Sequence, residues 1–408
     1  MAKQYYLISP KKQLFYKIIF LILCAFGGAR HNWWALELHK KIGVLVDIHG
    51  TLSRVLSPLA VVLLVLAFID YKTLSFYILG IMCSILPVAM VVFIKIMSAY
   101  LKSYQKLMND FLDKIHLHSF YMRNKESFTK LTLLEVEKYT RLTFYFLGGF
   151  LSIDWISWIV IPVINNVKNR EFVLNKTMKL HSCLYLWMPF DYYYDYNRWF
   201  FMHCLSGYLA FGGCAIVTVF DTINFAFVFH LIGHIKILKH SIKVRFAENN
   251  MSAEEQKMSL IEVIKAHNFI ANTFKEMQAA FGINVAGNYL QNLLEDSLLL
   301  YQLMFSEKGD KIPYGIMFIV YVGELFIMSF ILEEVRRQSD DLPEVLYNIP
   351  WENMSLSNQK MFRLVLLRVQ PTMWFKAAGG LRAGIKPMMS IMKSTFSYYV
   401  MLKSSVEN

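Results

Sequence analysis

The 408-residue chain is 56% apolar and 15% aromatic, with only 18% charged residues and a mean hydropathy of +0.37. So few charges cannot dress a water-soluble surface over that much apolar material, which excludes a soluble globule and a disordered chain and makes lipid part of the solvent. Five cysteines exclude a disulfide scaffold, and the excess of 42 Lys+Arg over 30 Asp+Glu, a net +12, points to charge asymmetry across a bilayer rather than to nucleic acid.

A spanning helix needs about 20 mostly apolar residues to cross roughly 30 Å of hydrocarbon. At the start of the chain, Lys11 and Lys12 precede the apolar run 18–26, and Gly27-Gly28-Ala29 follows. This resembles a signal peptide. Cleavage would leave the following loops with the wrong charge bias, so a short membrane-entering helix is the expectation. Seven spans then follow at 44–69, 74–94, 142–164, 199–220 with an apolar extension to 235, 283–305, 312–332 and 377–402. The fifth carries Glu295 and Asp296, the sixth Glu324, and the seventh Arg382, Lys386 and Lys393.

Cations set the orientation, because short basic loops stay cytoplasmic. The segment before the first span and the loops 95–141, 236–275 and 336–376 hold twenty-nine of the 42, against nine in the alternate loops. The N-terminus is therefore expected inside and the C-terminus outside, the reverse of a G-protein-coupled receptor. The fold class is an all-α integral membrane protein of seven helices. Of the three Asn-x-Ser/Thr sequons only Asn175 falls on the outer side, as the one glycosylation candidate.

No phosphate loop, nucleophile elbow or paired carboxylates are found, so no catalytic residue, metal ligand or cofactor is assigned. His230 and His234 stand one turn apart, but no Glu follows His230 and no third ligand is evident; packed histidines are the expectation. The run Tyr192, Tyr193, Tyr194 and Tyr196 after Pro189-Phe190-Asp191 reads as interfacial anchoring of an outer loop. Asp154, Asp221 and Glu324 are costly in lipid and are expected to face partners.

At about 100° per residue, Lys386, Lys393, Ser397 and Ser404 fall within about 60° of Arg382, a narrow polar stripe on the seventh span. Charged and hydroxyl groups at membrane depth face protein or water, so a water path is the functional reading of this stripe; a buried helix seam, or basic residues snorkelling toward the inner surface, is the alternative. A pore needs several such helices, hence an oligomer. The outer halves of spans two, three, four and six carry Tyr77, Ile81, Trp155, Trp158, Leu205, Tyr208, Phe318 and Tyr321. An aromatic cavity there suits a small lipophilic ligand; ordinary core packing is the alternative.

Ser339, Leu342, Leu346-Tyr347 and Trp351, then Arg368-Val-Gln-Pro371, Ala377-Ala-Gly-Gly380 and the ending Ser394-Thr-Phe-Ser-Tyr-Tyr-Val-Met-Leu402, resemble the C-terminal part of an insect odorant receptor. Leu186-Trp-Met-Pro-Phe-Asp191 and Ala266-His267 resemble that family's second outer loop and the helix before its fifth span. The gustatory ending Thr-Tyr…Gln-Phe is absent, and no room exists for the extended second cytoplasmic loop of the co-receptor. The resemblance implies a ligand-specific tuning subunit, partnered with the co-receptor in a heterotetrameric odorant-gated nonselective cation channel. A volatile organic ligand, cations, membrane lipids and a place in the plasma membrane of a sensory dendrite are implied with it. It divides the chain into a cytoplasmic 1–43, helices 1–4 with the ligand site at 44–235, a cytoplasmic extension 236–282, helices 5 and 6 at 283–332, an anchor 333–379 and a pore helix with outer C-terminus 380–408. Spans four to six would continue into the cytoplasm, and the first half of the last segment, 355–370, would hold subunits together. Lys393 and Ser397 would line the pore, and Met401, Ser404 and Ser405 would form its gate. The rival readings are a seven-span G-protein-coupled chemoreceptor and a transporter.

Overall fold

Backbone N–H and C=O groups find no water in hydrocarbon, which leaves helices as the form an apolar chain of this kind can take. The computed structural model describes residues 6–27, 29, 34, 40–74, 76–247, 251–306 and 311–407, and its regular elements are helices. They run α1 Leu14–Ala25, α2 Lys40–Ala67, α3 Phe76–Ser98, α4 Lys102–Asp110, α5 Leu117–Asn124, α6 Ser127–Lys168, α7 Arg170–Leu174, α8 Tyr196–Arg245, α9 Ala253–Phe305, α10 Lys311–Asp340, α11 Leu342–Tyr347, α12 Leu356–Val369 and α13 Ile385–Glu407.

The sequence marks the helix starts. Asp195 caps α8 by accepting from the N–H groups of Asn197 and Arg198; Ser252 and Glu255 form a reciprocal capping box on α9; Ser355 caps α12. Pro58, Pro87 and Pro162 lie inside α2, α3 and α6, as membrane helices tolerate. The 50 residues of α8 and 53 of α9 rise about 75–80 Å, far more than roughly 30 Å of hydrocarbon, so both are much longer than one crossing requires. Among the described residues five helical stretches are long and apolar enough to cross: Ile42–Ala67, Ile78–Ser98, Ser127–Lys168, Tyr196–Arg245 and Lys311–Tyr347. The expected spans 283–305 and 377–402 are not among them. On α9 the buried Asn284, Asn288, Gln291, Asn292, Glu295 and Asp296 dilute the apolar run, yet this helix packs on α3, α8, α10 and α13.

α13 is shorter than expected. Residues 377–384 form a turn: Lys376 and Arg382 pair as an isolated bridge, Gly380 N–H donates to the Ala377 carbonyl, and Gly379, Gly380 and Gly384 take φ of +86°, +84° and +139°. A backbone in that region breaks a helix, and only glycine enters it freely. Arg382 therefore leaves the polar stripe and lies over the Trp374 ring, 4.8 Å from its centroid, where Arg336 also sits at 5.1 Å. The rest of the stripe holds. Lys386, Ser390, Lys393, Ser397 and Ser404 are exposed on one side of α13, whereas Met388, Ile391 and Thr395 are buried on the opposite side.

Lys95 lies one residue past the expected end of the second span and was counted with the cytoplasmic loop. Instead it is 1% exposed and points into the bundle. Its ammonium donates to both carboxylate oxygens of Asp221 on α8 (2.6 and 2.7 Å) and to Asn288 Oδ1 on α9 (3.0 Å), with Glu324 Oε1 of α10 at 3.9 Å. Asn288 Nδ2 donates in turn to Glu324 (2.7 Å). Four helices meet at one ammonium, and Asp221 and Glu324 do face partners. Removing one member strands a buried charge at a cost of about 3–5 kcal/mol, whereas removing a pair together costs far less. Lys95→Met should lower the thermal midpoint of the purified protein sharply, and Lys95→Met with Asp221→Leu should recover much of the loss.

Candidate functional site

Above this charged cluster the helices separate around an apolar cavity of about 140 Å³. That is close to the volume of an engineered apolar cavity that stays dry and binds one benzene. On α3 it is bordered by Ile85, Val88, Ala89, Val92 and Ile96, one helical face at three- and four-residue steps. On α2 it is bordered by Ser53, Leu56, Ser57, Ala60 and Leu64, and on α6 by Leu151, Asp154, Trp155 and Trp158. Tyr208, Leu209, Gly212, Gly213, Ile216 and Val217 among others of α8, Met317 and Tyr321 of α10, Phe26, Cys183 and Leu184 complete the wall.

Hydrogen bonds hold the larger side chains in place. The Trp155 indole N–H donates to the Gly207 carbonyl (2.9 Å), and its ring packs on Phe211 at 5.1 Å. Tyr208 donates to His49 Nε2 (2.7 Å), and His49 Nδ1 bonds the Ala25 carbonyl at the end of α1. Trp158 meets Tyr314 edge to face at 5.5 Å. Asp154 is 4% exposed; the Trp158 indole bonds its carboxyl, and its Oδ1 has no hydrogen-bond partner.

The 175–195 segment covers one end of the cavity. Trp187 N–H donates to the Leu63 carbonyl (3.1 Å), Tyr192 Oη to the Leu186 carbonyl (2.9 Å), Ser206 Oγ to the Leu184 carbonyl (3.3 Å), and Leu180 N–H to the Tyr193 carbonyl (2.8 Å). Leu186, Tyr185 and Tyr192 are 0%, 0% and 1% exposed. Tyr192 is thus a core residue rather than an interfacial anchor, because the segment folds back over the helices and turns this ring inward. Asn175, at the end of α7, is exposed.

Of the expected ligand residues, Trp155, Trp158, Tyr208 and Tyr321 border the cavity. Ile81 lies on the lining face of α3 but one turn beyond it, buried in the adjoining core with Leu205 and Phe318 packed nearby. Phe318 is one step round the helix from Met317, which turns it off the lining face. The Tyr77 and Ser405 side chains lie outside the described residues. Sequence reasoning missed α2 altogether, although Ser53, Ser57 and Ala60 form a small-residue row on an otherwise Leu/Val-rich helix, a mark of close helix approach. No local signal pointed to Cys183 and Leu184.

A second polar cluster lies away from the cavity. His230 does have third partners, contrary to the sequence expectation: His116 and Glu137 come within ligand distance of it, all buried. They are far apart in the chain, so spacing did not reveal them. His116 Nε2 bonds Glu137 Oε1 (2.8 Å), and Tyr16 donates to the same oxygen (2.8 Å). Both imidazoles accept a backbone N–H at Nδ1, His116 from His118 (3.1 Å) and His230 from Leu117 (3.3 Å), so in the neutral rings Nε2 carries the proton. A metal held by Nε2 would need Nδ1 as a donor, so the donor set fits a hydrogen-bond network joining α1, α5, α6 and α8 and not a divalent ion. His234 is bonded to the Ile115 carbonyl (2.7 Å), a packed histidine as expected.

Burial pushes the His116 imidazole well below its usual range, with the neighbouring cationic groups adding to the effect. Burial lowers His118 as well, opposed by the Leu7 carbonyl and Glu137. A lowered folded value means that the unfolded chain takes up the proton first, so this stability is present above about pH 6.5 and is lost as pH falls below it. Each such group tilts stability by up to about 1.4 kcal/mol per pH unit. The thermal midpoint should drop between pH 7.5 and 5.5, and the drop should shrink in His116→Gln.

A family model described as 7tm Odorant receptor matches residues 79–396. Odorant receptor 13a of Drosophila melanogaster is 21% identical over 285 residues, 64% of this chain and 66% of that protein. Putative odorant receptor 85d of the same fly is 19% identical over 288 residues, 66% of this chain and 65% of that protein. The chain thus spans just under two thirds of the length of these relatives. The insect olfactory receptor OR5 from Machilis hrabei, solved in complex with eugenol, superposes with a TM-score of 0.78 at 14% identity, covering 95% of this chain and 96% of that one. A second structure of that receptor gives 0.72. At this identity the likeness is one of fold.

Proposed function

The chain belongs to the 7tm odorant receptor family, a family of multi-pass membrane receptors and not of enzymes, and from that premise we propose that it is the odorant-binding tuning subunit of a ligand-gated nonselective cation channel completed by the family's co-receptor. The observation that carries the reading is the cavity: apolar, benzene-sized, walled by five helices and bordered at one end by Cys183 and Leu184 of the 175–195 segment. The ligand is a small volatile molecule that leaves water for this space because burial of its apolar surface is favourable.

The bound molecule acts by differential affinity. It holds tighter to the open arrangement and shifts the population by that difference and no more. α10 is the natural carrier of the shift, since Met317 and Tyr321 border the cavity, Glu324 belongs to the Lys95 cluster, and the same helix packs on α13. At the start of α13, Gly384 N–H bonds Tyr289 Oη of α9 (3.0 Å).

The conducting path is the exposed side of α13, with Lys393 and Ser397 along it and Met401, Ser404 and Ser405 at the gate. That side points away from the subunit's own body, where neighbouring copies would enclose it. α12 leaves Leu356, Leu364 and Leu367 at 71%, 66% and 62% exposure, interleaved with the exposed Lys360 and Arg363, a mixed face suited to an anchor between subunits. Lys386 and Lys393 would repel cations from four identical chains; co-receptor subunits dilute that field. The N-terminus lies in the cytoplasm and the C-terminus outside, where Asn175 is open to glycosylation.

Odorant-evoked current is expected on co-expression with the co-receptor, together with staining of a C-terminal tag on intact cells. A surface-expressed chain silent across a broad odorant panel would defeat the reading. Cysteines placed at Ser397, Met401 or Ser404 should react with membrane-impermeant thiol reagents faster when odorant is present. Ala60→Phe or Ala89→Phe, which fill the cavity, should raise the half-maximal odorant concentration by about tenfold or more with surface expression unchanged.

A further inference from the structure

The cavity wall contains a carboxyl group that the protein satisfies only in part: the Trp158 indole bonds it, and one oxygen is left open. Asp154 sits on α6 between Leu151 and Trp155, 4% exposed, and its Oδ1 has no hydrogen-bond partner. Among the described residues bordering the cavity there is no Lys, Arg or His, so no cation answers it from within the site. The contrast with Asp221 is sharp, since there Lys95 bonds both carboxylate oxygens. A buried acceptor left open in an apolar wall is the situation in which a ligand group gains most by supplying the donor.

We propose that Asp154 is the specificity residue of this cavity and that it selects compact apolar molecules bearing one hydrogen-bond donor, a hydroxyl or an amino group. The assignment rests on the cavity being the ligand site, as argued above. The ligand's O–H or N–H donates to Asp154 Oδ1, while its hydrocarbon part lies against Trp155, Trp158 and Tyr321. A hydroxyl donates one hydrogen bond to the carboxylate oxygen. An amine makes a charge-assisted one and supplies the cation that the wall lacks. Ethers, esters and hydrocarbons of the same shape have no donor and leave Oδ1 open, so the site discriminates against them through that unmet group and not through size.

The test uses the full chain in lipid nanodiscs and reads binding from quenching of tryptophan fluorescence, since Trp155 and Trp158 border the cavity. Hexanol, hexylamine, methyl pentyl ether and heptane are of similar length and differ in the donor. Hexanol, hexylamine or both should bind about tenfold or more tightly than the ether and heptane. Asp154→Leu should erase that gap while leaving heptane affinity unchanged or improved. Asp154→Asn, close in shape and retaining an acceptor oxygen, should keep the hexanol preference and lose that for hexylamine, which separates the two donors. Equal affinity for all four in the native chain, or a gap that survives in Asp154→Leu, overturns the proposal. Selective binding without current on co-expression would defeat the channel reading while leaving Asp154 in its role; binding of none of the four would overturn both.

Discussion

An ammonium group in hydrocarbon has to be answered from several directions at once, and the bundle is arranged around that demand. Lys95 of α3 draws Asp221 of α8, Asn288 of α9 and Glu324 of α10 to one point. Charges at membrane depth are tolerated only when paired or wet, so the relative depth and rotation of these four helices are set together. α9 carries so many amides and acids that it is not an independent apolar span; it belongs in the bundle because α3, α8 and α10 receive its polar face. The cavity wall is built from α3, α8 and α10 as well, with α2 and α6 closing it. Its shape is therefore a consequence of where the charged cluster holds those helices.

Asp154 is the counterpart of that cluster. Both are acidic groups on apolar helices, but one set is neutralised within the protein and the other borders an apolar cavity. Buried polar groups in folded proteins are nearly always satisfied, and an exception at a cavity is where an external molecule has most to offer. The hydrogen-bonded frame around the cavity supports selectivity. Trp155 is held by the Gly207 carbonyl and Tyr208 by His49, so the aromatic walls present fixed surfaces instead of collapsing inward.

Two faces stand exposed among the described residues. On α13 the polar side is turned away from the body, and on α12 three leucines lie open. A single chain gains nothing by exposing leucine, and lysine beside serine on a membrane-depth helix is costly against lipid. In the proposed channel, neighbouring subunits would cover both, packing on the leucines and enclosing water between the polar sides.

Much of this could be read from the residues directly. Long apolar runs separated by basic loops state the all-helical membrane class and five of the crossing stretches, because hydrophobic length against bilayer thickness is a local property. The polar period on α13 was legible for the same reason, since spacing along a helix determines which residues share a side. Trp155, Trp158, Tyr208 and Tyr321 were found as bulky aromatics placed at one depth. What required the tertiary structure were the relations between distant residues. Glu137 and His116 joining His230, Lys95 turning inward to Asp221, α2 lining the cavity with its small residues, and the 175–195 segment folding over the top all depend on packing between segments far apart in the chain. Arg382 left the stripe because Gly379 and Gly380 turned the backbone, which an average of hydropathy does not register. Periodicity tells which residues share a face of a helix; what that face meets is decided by the other helices.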